Sequence, residues 1–496
     1  MADKVHLQYV NESFCRVRAD ASIIMELSDT LTYFKENYKF DPKYKARVWD
    51  GKIRLLNKLT GMLYTGLAHR VMKFCQANDY EFSFDDELMY DNISVQEVEQ
   101  HIESLNLPER LNSRDYQIDG IVKCLRSRRR TLLSPTSSGK SFMIYAITTW
   151  YKHKTLIITP TIGLVTQMKS DFESYGYKGK IHVSTEGLQK DNDIDADIVI
   201  TTWQSLDNGK TKVPKAWYNQ FKVVFGDEAH GAKATTLIKI LSAMENTPYR
   251  FGTTGTLDNN SLNKATIEGL FGAPYQTTTT RELIDSGYAA DIKIKCIVLK
   301  YPEEVRKEFH KGTTVTGMKK KKYKTYQEEI DFLVEYEPRT EFIRNLALSL
   351  KGNKLVFFRL TDHGEKLYAA LAGNANVYYI DGSISGDRRE QIRKAIEDEE
   401  DATLIASLGT TSTGVSINRL HHMIAASPSK SKIKVLQSIG RMLRQHTDKT
   451  HATLYDIVDD ISYGVKSNFT LTHFQERAKI YDHEQFDYKI YNVRLK

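Results

Sequence analysis

A short stretch of small residues, Ser134 to Ser141, carries the clearest chemical pattern in the chain. It reads Ser-Pro-Thr-Ser-Ser-Gly-Lys-Ser, follows the apolar run Thr131 to Leu133 and precedes a helical pattern from Phe142 to Tyr151. A strand, a small-residue loop and a helix in this order are typical of a phosphate-binding loop, in which backbone N–H groups and the helix dipole face the phosphates. Ser134 departs from the usual pattern, which has glycine at this position. The alternative interpretation is an ordinary serine-rich turn before a helix.

The residue types of this loop suit a magnesium-bound nucleotide. A lysine supplies positive charge for the β- and γ-phosphates, and a serine hydroxyl can ligate Mg²⁺. The residues predicted to bind the nucleotide here are Thr136, Ser137, Ser138, Gly139, Lys140 and Ser141, with Ser141 also a candidate magnesium ligand. Upstream, Arg114 and Gln117 form an Arg-x-x-Gln pattern, and a glutamine amide can both donate to and accept from an adenine edge. An exposed helix start is the other interpretation of that pair.

Two adjacent carboxylates follow a second apolar strand. Val223 to Gly226 leads into Asp227-Glu228-Ala229-His230. Mg²⁺ prefers hard oxygen ligands, so Asp227 is predicted to hold the ion. Glu228 is predicted to orient and deprotonate an attacking water. The following strand ends in the hydroxyl-rich run Thr253 to Thr256. In isolation the acidic pair could be a helix cap, but after a phosphate loop it indicates nucleotide hydrolysis.

The second half of the chain repeats the alternation of apolar strands and helices and adds a pair of arginines. The run Gln437 to Arg444 places Arg441 and Arg444 three residues apart, so both lie on one helix face. Guanidinium groups aimed at a γ-phosphate stabilise the charge of the transition state, so both are candidate arginine fingers. Gln437 and Gly414, the latter in a polar loop after a strand, are predicted to belong to the same nucleotide site.

Aromatic and basic residues alternate in the N-terminal block, between Tyr38 and Lys52. Cations bind phosphates and rings stack on bases, so this segment is predicted to bind nucleic acid. The predicted contact residues in this segment are Lys43, Lys45, Arg47 and Trp49. In the alternative interpretation, the rings form a small core and the lysines are solvated. A basic segment at about 300–326 is either a solvated charge run or a further phosphate contact.

Composition narrows the class of protein. The chain has 496 residues, of which 41% are hydrophobic and 27% charged, with a formal net charge of +7. This predicts a soluble globular protein of roughly three domains. There is no run of 18 apolar residues and no secretory signal, so neither a membrane span nor export is expected. The four cysteines lie far apart in the sequence and are predicted to be buried free thiols.

The order of these motifs over residues 110–460 resembles that of superfamily 2 helicases and translocases. The wider chain resembles the UvsW-type recombination helicases of tailed phages through Trp49 to Leu56, Thr325 to Ile330 and Lys430 to Ile433. The resemblance implies an α/β fold: two tandem RecA-like (P-loop NTPase) domains with parallel sheets and ATP between them, preceded by a small α+β nucleic-acid-binding domain. The expected boundaries are 1–105 for the N-terminal domain, 106–290 and 291–465 for the two RecA-like domains, and 466–496 for a helical tail. The resemblance also implies a DNA track across both RecA-like domains, with Thr161, Thr202, Trp203 and Gln204 in two loops after apolar strands and Arg359 in the second half as expected contacts.

An activity is also implied by this resemblance. The expected protein is a monomeric ATP-dependent DNA helicase, using ATP and Mg²⁺, that acts on forks, Holliday junctions and R-loops in phage recombination and repair. Its expected partner is branched, duplex or single-stranded DNA, with RNA–DNA hybrids and phage recombination proteins as further candidates. Its expected location is the cytoplasm of the infected bacterium. A duplex translocase that never separates strands, an RNA helicase and a nucleic-acid binder without ATPase activity are the alternatives.

Overall fold

The chain divides into two compact units, Met1–Thr278 and Thr279–Lys496. The computed structural model of the protein describes residues 4–109, 111–184, 194–207, 213–229, 234–256, 260–311, 325–407, 417, 419–427, 439–440 and 451–496. Each unit contains a seven-stranded parallel sheet, and the first unit also contains a small mixed sheet at its N-terminal end. The predicted α/β class, with a small α+β domain before two parallel sheets, is therefore confirmed.

The N-terminal part of the first unit is built on a four-stranded mixed sheet of order β5-β2-β1-β6. Its elements are β1 (Lys4–Tyr9), β2 (Phe14–Arg18), α1 (Ala21–Thr30), β3 (Thr32–Phe34), α2 (Pro42–Lys45), β4 (Lys52–Arg54), β5 (Met62–Tyr64), α3 (Ala68–Ala77) and β6 (Glu81–Phe84). Strands β3 and β4 form a separate antiparallel hairpin that lies outside this sheet. Alternation along β1 directs Val5 and Leu7 into a core with Leu27 and Leu63, so this part has a hydrophobic centre of its own.

The first parallel sheet has the order β13-β7-β12-β11-β8-β10-β9. After α4 (Val95–Ser104), its elements are α5 (Asp115–Ser127), β7 (Arg129–Leu133), α6 (Lys140–Tyr151), β8 (Thr155–Thr159), α7 (Ile162–Ser174), β9 (Ile181–Ser184), β10 (Ile198–Thr202), α8 (Trp203–Leu206), β11 (Val223–Asp227), α9 (Ala234–Ala243), β12 (Tyr249–Thr254), α10 (Ser261–Phe271) and β13 (Pro274–Gln276). Because β7, β12 and β11 are parallel neighbours, the residues that follow each of them meet at one edge of the sheet.

Both faces of this sheet are buried, as is usual for parallel sheets covered by helices. Along β8, Ile157 packs into one core cluster together with Phe142 and Phe172. Its neighbours Leu156 and Ile158 pack into a second cluster on the opposite face. The two layers of helices hold the sheet edge, and the loops that leave it, in fixed positions.

The second unit is built on a parallel sheet of order β16-β17-β15-β18-β19-β14-β20. Its elements are α11 (Thr280–Asp285), β14 (Asp291–Lys300), α12 (Glu303–Phe309), α13 (Tyr326–Glu335), α14 (Glu337–Ser349), β15 (Lys354–Phe358), α15 (Thr361–Leu371), β16 (Val377–Ile380), α16 (Gly386–Asp398), β17 (Thr403–Ser407), β18 (His422–Ala425), β19 (His451–Asp460), α17 (Phe469–His483) and β20 (Tyr488–Arg494). The expected helical tail, 466–496, is helical only as far as His483. Its last strand, rich in aromatic and β-branched residues, pairs with β14 and completes the sheet.

Two predictions made from the sequence concern the state of the cysteines and the presence of membrane-spanning helices. Cys15, Cys75, Cys124 and Cys296 are buried and free, as predicted. Burial raises the pKa of Cys15 to about 12, which keeps that thiol protonated and unreactive. Among the helices within the described ranges, none is long and apolar enough to cross a membrane.

The N-terminal part is attached to the first parallel sheet through partly buried polar contacts. Arg70 donates to both carboxylate oxygens of Glu268 on α10, at 2.7 and 2.8 Å. Arg129 on β7 donates to the Glu12 carboxylate at 2.6 Å. Gly66 lies so close to α10 that an added Cβ would be 2.2 Å from the carbonyl oxygen of Glu268. Ion pairs shielded from water are costly to break by removing one partner, so the two parts form one unit.

We expect Gly66→Ala to destabilise the first unit by about 1–3 kcal/mol, because the new methyl group overlaps backbone atoms of α10 that cannot move aside. Chemical denaturation would measure the change. Gly373→Ala is the matched control, since a Cβ there meets nothing within 4 Å. Equal stabilities for the two variants would contradict the close packing described here.

Candidate active site

Three sequence motifs converge at the edge where β7, β11 and β12 end. Ser134, the first residue of the phosphate loop, donates its backbone N–H to the Thr254 carbonyl at 2.9 Å. Lys140 donates through Nζ to the carbonyl of Ser134 at 3.3 Å and to Oε1 of Glu228 at 2.8 Å. The loop, the acidic pair and the threonine-rich turn are thus joined around one ammonium group.

The loop has a conformation that suits phosphate binding. Ser137 and Gly139 both adopt left-handed backbone angles, with φ of 69° and 81°. Helix α6 begins at Lys140, and the N–H groups of a first helical turn have no partner inside the helix. Among the described residues, the buried hydroxyl of Ser137 has no hydrogen-bond partner. These donors fit a triphosphate, which accepts hydrogen bonds through every terminal oxygen.

The Lys140 ammonium and the carboxylates of the acidic pair interact in a largely buried site. Burial disfavours the charged lysine, but the carboxylates of Glu228 and Asp227 outweigh it, so the pKa of Lys140 is raised. Burial and the neighbouring Glu228 raise the pKa of Asp227. Thr253 donates to Oδ1 of Asp227 at 2.6 Å and orients that carboxylate. The arrangement provides a cation for phosphates, an oriented oxygen ligand for Mg²⁺ and a second carboxylate beside them.

Glu228 lies at a backbone position that side chains rarely adopt. Its φ is +47°, immediately after the end of β11. Such left-handed angles cost of order 1 kcal/mol or more in a residue other than glycine, and they cluster at functional sites.

Ser141, the other predicted magnesium ligand, is the second residue of α6, one position beyond Lys140.

Arg114 and Gln117 contact the phosphate loop from outside. Gln117 is only 4% exposed, and its amide donates to the Ser138 carbonyl at 2.8 Å while accepting from the backbone N–H of Arg114. Arg114 and Tyr116 also reach the carbonyls of Ser137 and Ser138. This supporting role was not predicted from sequence. Adenine recognition by the same pair stays a prediction.

Several predicted site residues lie outside the described part of the chain. They are His230, Gly414, Gln437, Arg441 and Arg444, together with residues 312–324 of the basic segment. Their roles in nucleotide or nucleic-acid binding stay predictions.

The predicted basic contacts of the N-terminal block are exposed, but Trp49 has a structural role. Lys43 and Lys45 on α2 and Arg47 just beyond it all face solvent. The Trp49 indole donates to the Lys52 carbonyl at 3.0 Å, and the Lys35 ammonium lies 5.7 Å from its ring centre. Trp49 is partly exposed and supports the fold of the β3–β4 hairpin, and its contact with nucleic acid stays a prediction.

Other apolar side chains are exposed on the same surface, and sequence reasoning did not single them out. Phe34, Phe40 and Val48 are 53%, 74% and 79% exposed. The Lys45 ammonium lies 6.0 Å from the centre of the Phe40 ring. Exposed rings among cations are typical of surfaces that stack on nucleic-acid bases. We call the surface formed by Phe34, Phe40, Lys43, Lys45, Arg47 and Val48 the hairpin surface.

The loops after β8 and β10 lie side by side, but they present fewer contacts than predicted. Gln204 is exposed and lies 3.5 Å from the Pro160 carbonyl, beside Thr161, whose hydroxyl caps α7. Thr202 is buried and caps α8, and Trp203 is 4% exposed within a core cluster. The predictions for Thr202 and Trp203 therefore need correction: their side chains stabilise the loop and do not form its surface.

In the second unit, Arg359 follows the end of β15 and is exposed, as its predicted role requires. Its guanidinium donates to the Tyr326 hydroxyl at 3.3 Å. Its backbone N–H donates to the Ser427 hydroxyl at 3.1 Å. Arg359 is thus held in place at the carboxyl edge of the second sheet, and nucleic-acid contact there stays a prediction.

A phosphate loop and an acidic pair at the edge of a parallel sheet define a P-loop nucleotide hydrolase. Two family models refine that class: "Type III restriction enzyme, res subunit" matches residues 110–259, and "Helicase conserved C-terminal domain" matches residues 339–446. Together they place the chain among the superfamily 2 helicases, with two RecA-like domains. The chain is also 25% identical to "DNA 3'-5' translocase XPB2" of Sulfurisphaera tokodaii, over 73% of this chain and 86% of the relative.

The N-terminal block identifies the family within superfamily 2. Residues 4–85 match the family model "DNA helicase UvsW, N-terminal". The chain is 32% identical to "ATP-dependent DNA helicase uvsW" of Enterobacteria phage T4, over 99% of both chains. The crystal structure of T4 UvsW aligns with a TM-score of 0.51 and 31% identity, covering 99% of this chain and 100% of the other. The chain therefore belongs to the UvsW family of superfamily 2 DNA helicases.

We expect Gly139→Ala to weaken nucleotide binding strongly. The left-handed φ disfavours any side chain, and a Cβ would lie 2.3 Å from Nε2 of Gln117, which must then leave the Ser138 carbonyl. Titration with a fluorescent ATP analogue would measure the loss, with Gly382→Ala, where a Cβ meets nothing within 4 Å, as the control. Unchanged affinity in Gly139→Ala would mean that the loop does not bind the phosphates in this conformation.

Proposed function

We propose that this protein is an ATP-dependent DNA helicase that uses Mg-ATP hydrolysis to move on branched DNA such as forks, Holliday junctions and R-loops. One observation carries the proposal: Glu228 lies 2.8 Å from the phosphate-loop lysine, beside Asp227 oriented by Thr253, in a chain of the UvsW family. We further propose that it acts as a monomer in the infected bacterium, in phage recombination and repair.

The chain's own residues provide each part of the chemistry. Lys140 and the N-terminus of α6 bind the β- and γ-phosphates and stabilise the charge that develops during transfer. Glu228 accepts a proton from the attacking water. Ser141 and Asp227 would hold Mg²⁺, which neutralises phosphate charge when bound. Thr253 keeps Asp227 in the orientation needed for that role.

The ion pair between Lys140 and Glu228 changes when a nucleotide binds. In the structure, one carboxylate oxygen of Glu228 accepts from the Lys140 ammonium at 2.8 Å. Phosphate oxygens compete for the same ammonium group. When they bind it, the hydrogen bond from Lys140 to Glu228 weakens, and the carboxylate can turn toward the attacking water.

The DNA contacts proposed for the first unit are the hairpin surface and the loop containing Thr161 and Gln204. Lys43, Lys45 and Arg47 bind phosphates without regard to sequence, so binding is salt-sensitive. Phe40 supplies a ring for stacking on an unpaired base. Unpaired bases occur at forks and in single strands but not within a continuous duplex, so a ring for stacking favours these substrates over plain duplex.

A duplex translocase that does not separate strands is the second candidate. The likeness to the S. tokodaii translocase favours it, since that relative is named for movement on DNA. It predicts equal stimulation of ATP hydrolysis by plain duplex and by a junction. An RNA helicase would instead respond to RNA.

The decisive experiment measures ATP hydrolysis with no nucleic acid and then with single-stranded, duplex, four-way-junction DNA and RNA. We expect the junction to stimulate most strongly. Glu228→Gln should keep ATP binding and lose about 10²- to 10⁴-fold in turnover, as removal of a general base does. Glu173→Gln is the control, because that carboxylate is 58% exposed and pairs only loosely with Lys169 at 3.7 Å.

Each result assigns a function. Equal stimulation by duplex and junction would favour the translocase, and stimulation by RNA alone would overturn the DNA proposal. Near-normal turnover in Glu228→Gln would exclude this residue as the base. Absence of hydrolysis with every nucleic acid would refute the helicase proposal as a whole.

We expect Phe40→Ala to weaken junction binding by about 5- to 100-fold, because base stacking on an aromatic ring is worth about 1–3 kcal/mol. Fluorescence anisotropy at two salt concentrations would measure it, and the salt dependence should not change because no charge is lost. Leu59→Ala is the matched control: Leu59 is apolar and 97% exposed in the same domain, but it lies outside the hairpin surface. Equal affinities for the two variants would remove Phe40 from the interface.

A further inference from the structure

Three hydroxyl groups form a connected chain beneath the phosphate loop. Ser134 Oγ lies 2.7 Å from Ser138 Oγ and 2.8 Å from Thr277 Oγ1. Ser138 Oγ in turn donates to the Pro135 carbonyl at 2.7 Å. Ser134 and Ser138 are fully buried. Ser134 occupies the position where the usual phosphate-loop pattern has glycine, so a loop with that pattern has no side chain to make these bonds.

The direction of each hydrogen bond follows from counting protons. A hydroxyl has one proton to donate and two lone pairs that accept. Ser138 uses its proton on the Pro135 carbonyl, so it must accept from Ser134. Ser134 has then used its own proton and must accept from Thr277. The Thr277 hydroxyl also lies 3.3 Å from the Leu133 carbonyl, but its contact with Ser134 is shorter, at 2.8 Å, and needs the Thr277 proton because Ser134 has already used its own.

Ser134 also connects this chain to the ammonium group of the active site. Its carbonyl accepts from Nζ of Lys140 at 3.3 Å, and its backbone N–H donates to the Thr254 carbonyl at 2.9 Å. A shift of Ser134 would therefore displace the acceptor that helps to hold Lys140. Because the same residue contacts Ser138, it would move the phosphate-binding turn as well.

Thr277 lies where the first unit ends. It follows β13, the edge strand that pairs with β7, and the boundary between the two units falls after Thr278. The hydroxyl chain therefore runs from the phosphate loop to the segment that leads into the second unit. A change in either place can be transmitted to the other through Ser134.

We propose that Thr277 is a positioning residue for ATP, acting through Ser134 to hold the phosphate loop in its binding conformation. The proposal rests on the function proposed above, since it assumes that the loop binds ATP. Thr277 contacts neither the phosphates nor the water. Holding the loop favours the bound substrate and the transition state equally, so its loss should appear in KM and not in kcat.

The test compares DNA-stimulated ATP hydrolysis and ATP-analogue binding in the wild type, Thr277→Val and Thr277→Ser. We expect Thr277→Val, which keeps the shape but removes the donor, to raise KM and weaken binding about 3- to 10-fold, the range for one lost hydrogen bond. The turnover number at saturating ATP should stay within about twofold. Thr277→Ser should restore the wild-type KM, because it keeps the hydroxyl.

A second pair of variants tests the route through Ser134. In a Ser134→Ala background, adding Thr277→Val should change KM by less than about 1.5-fold, because the partner hydroxyl is already absent. Thr148→Val removes another buried hydroxyl of the same domain, which donates to the Ile144 carbonyl within α6, and should leave KM unchanged. Independent, multiplying effects of Ser134→Ala and Thr277→Val would overturn the proposal.

The remaining outcomes separate this inference from the function itself. DNA-stimulated hydrolysis in the wild type, with an unaltered KM in Thr277→Val, would refute the role of Thr277 alone. A fall in kcat without a change in KM would also refute it. Absence of ATP binding and hydrolysis in the wild type would refute the proposed function.

Discussion

A lysine ammonium held away from water needs negative charge close to it, and this requirement organises the edge of the first parallel sheet. Lys140 has little exposure, and Glu228 and Asp227 supply the compensating charge. Their carboxylates come from β11, and the carbonyl that completes the contact comes from the end of β7. Because β7, β12 and β11 are parallel neighbours, all three loops leave the sheet at one edge. The order of the strands in the sheet therefore determines the site as much as its side chains do.

Nucleotide phosphates carry the same sign of charge as the acidic pair that neutralises Lys140. Substrate binding can then replace one anionic partner with another, so the lysine never becomes an unpaired buried charge. Ser134, the unusual serine at the start of the loop, shows the same rule for an uncharged group: a buried polar side chain has hydrogen-bond partners. Its hydroxyl is buried and lies between one donor and one acceptor, so the substitution for glycine leaves no unsatisfied polar atom.

The fold class could be predicted from the sequence through the family resemblance, and the local motifs that hold Lys140 and Glu228 are brought together in the structure, although the roles of these residues stay predictions. An apolar strand followed by polar residues predicts a loop at the carboxyl edge, and β7 and β11 are found in that form. Contacts between distant residues could not be predicted. The hydroxyls of Ser134 and Thr277 are hydrogen-bonded although the two residues are 143 positions apart, and no sequence motif links them. Side-chain exposure also escaped prediction. Trp49 and Trp203 both support local structure, whereas Phe40 is the ring that faces solvent.

The position of β14 in the second sheet has a consequence for how the protein is made. Its two neighbours, β19 and β20, are His451–Asp460 and Tyr488–Arg494, whereas β14 itself is Asp291–Lys300. At ordinary rates of translation, β14 leaves the ribosome on the order of ten seconds before either partner exists. During that interval an apolar strand has both edges unpaired, a state prone to aggregation. The second unit therefore completes its sheet late, only after β20 has been synthesised.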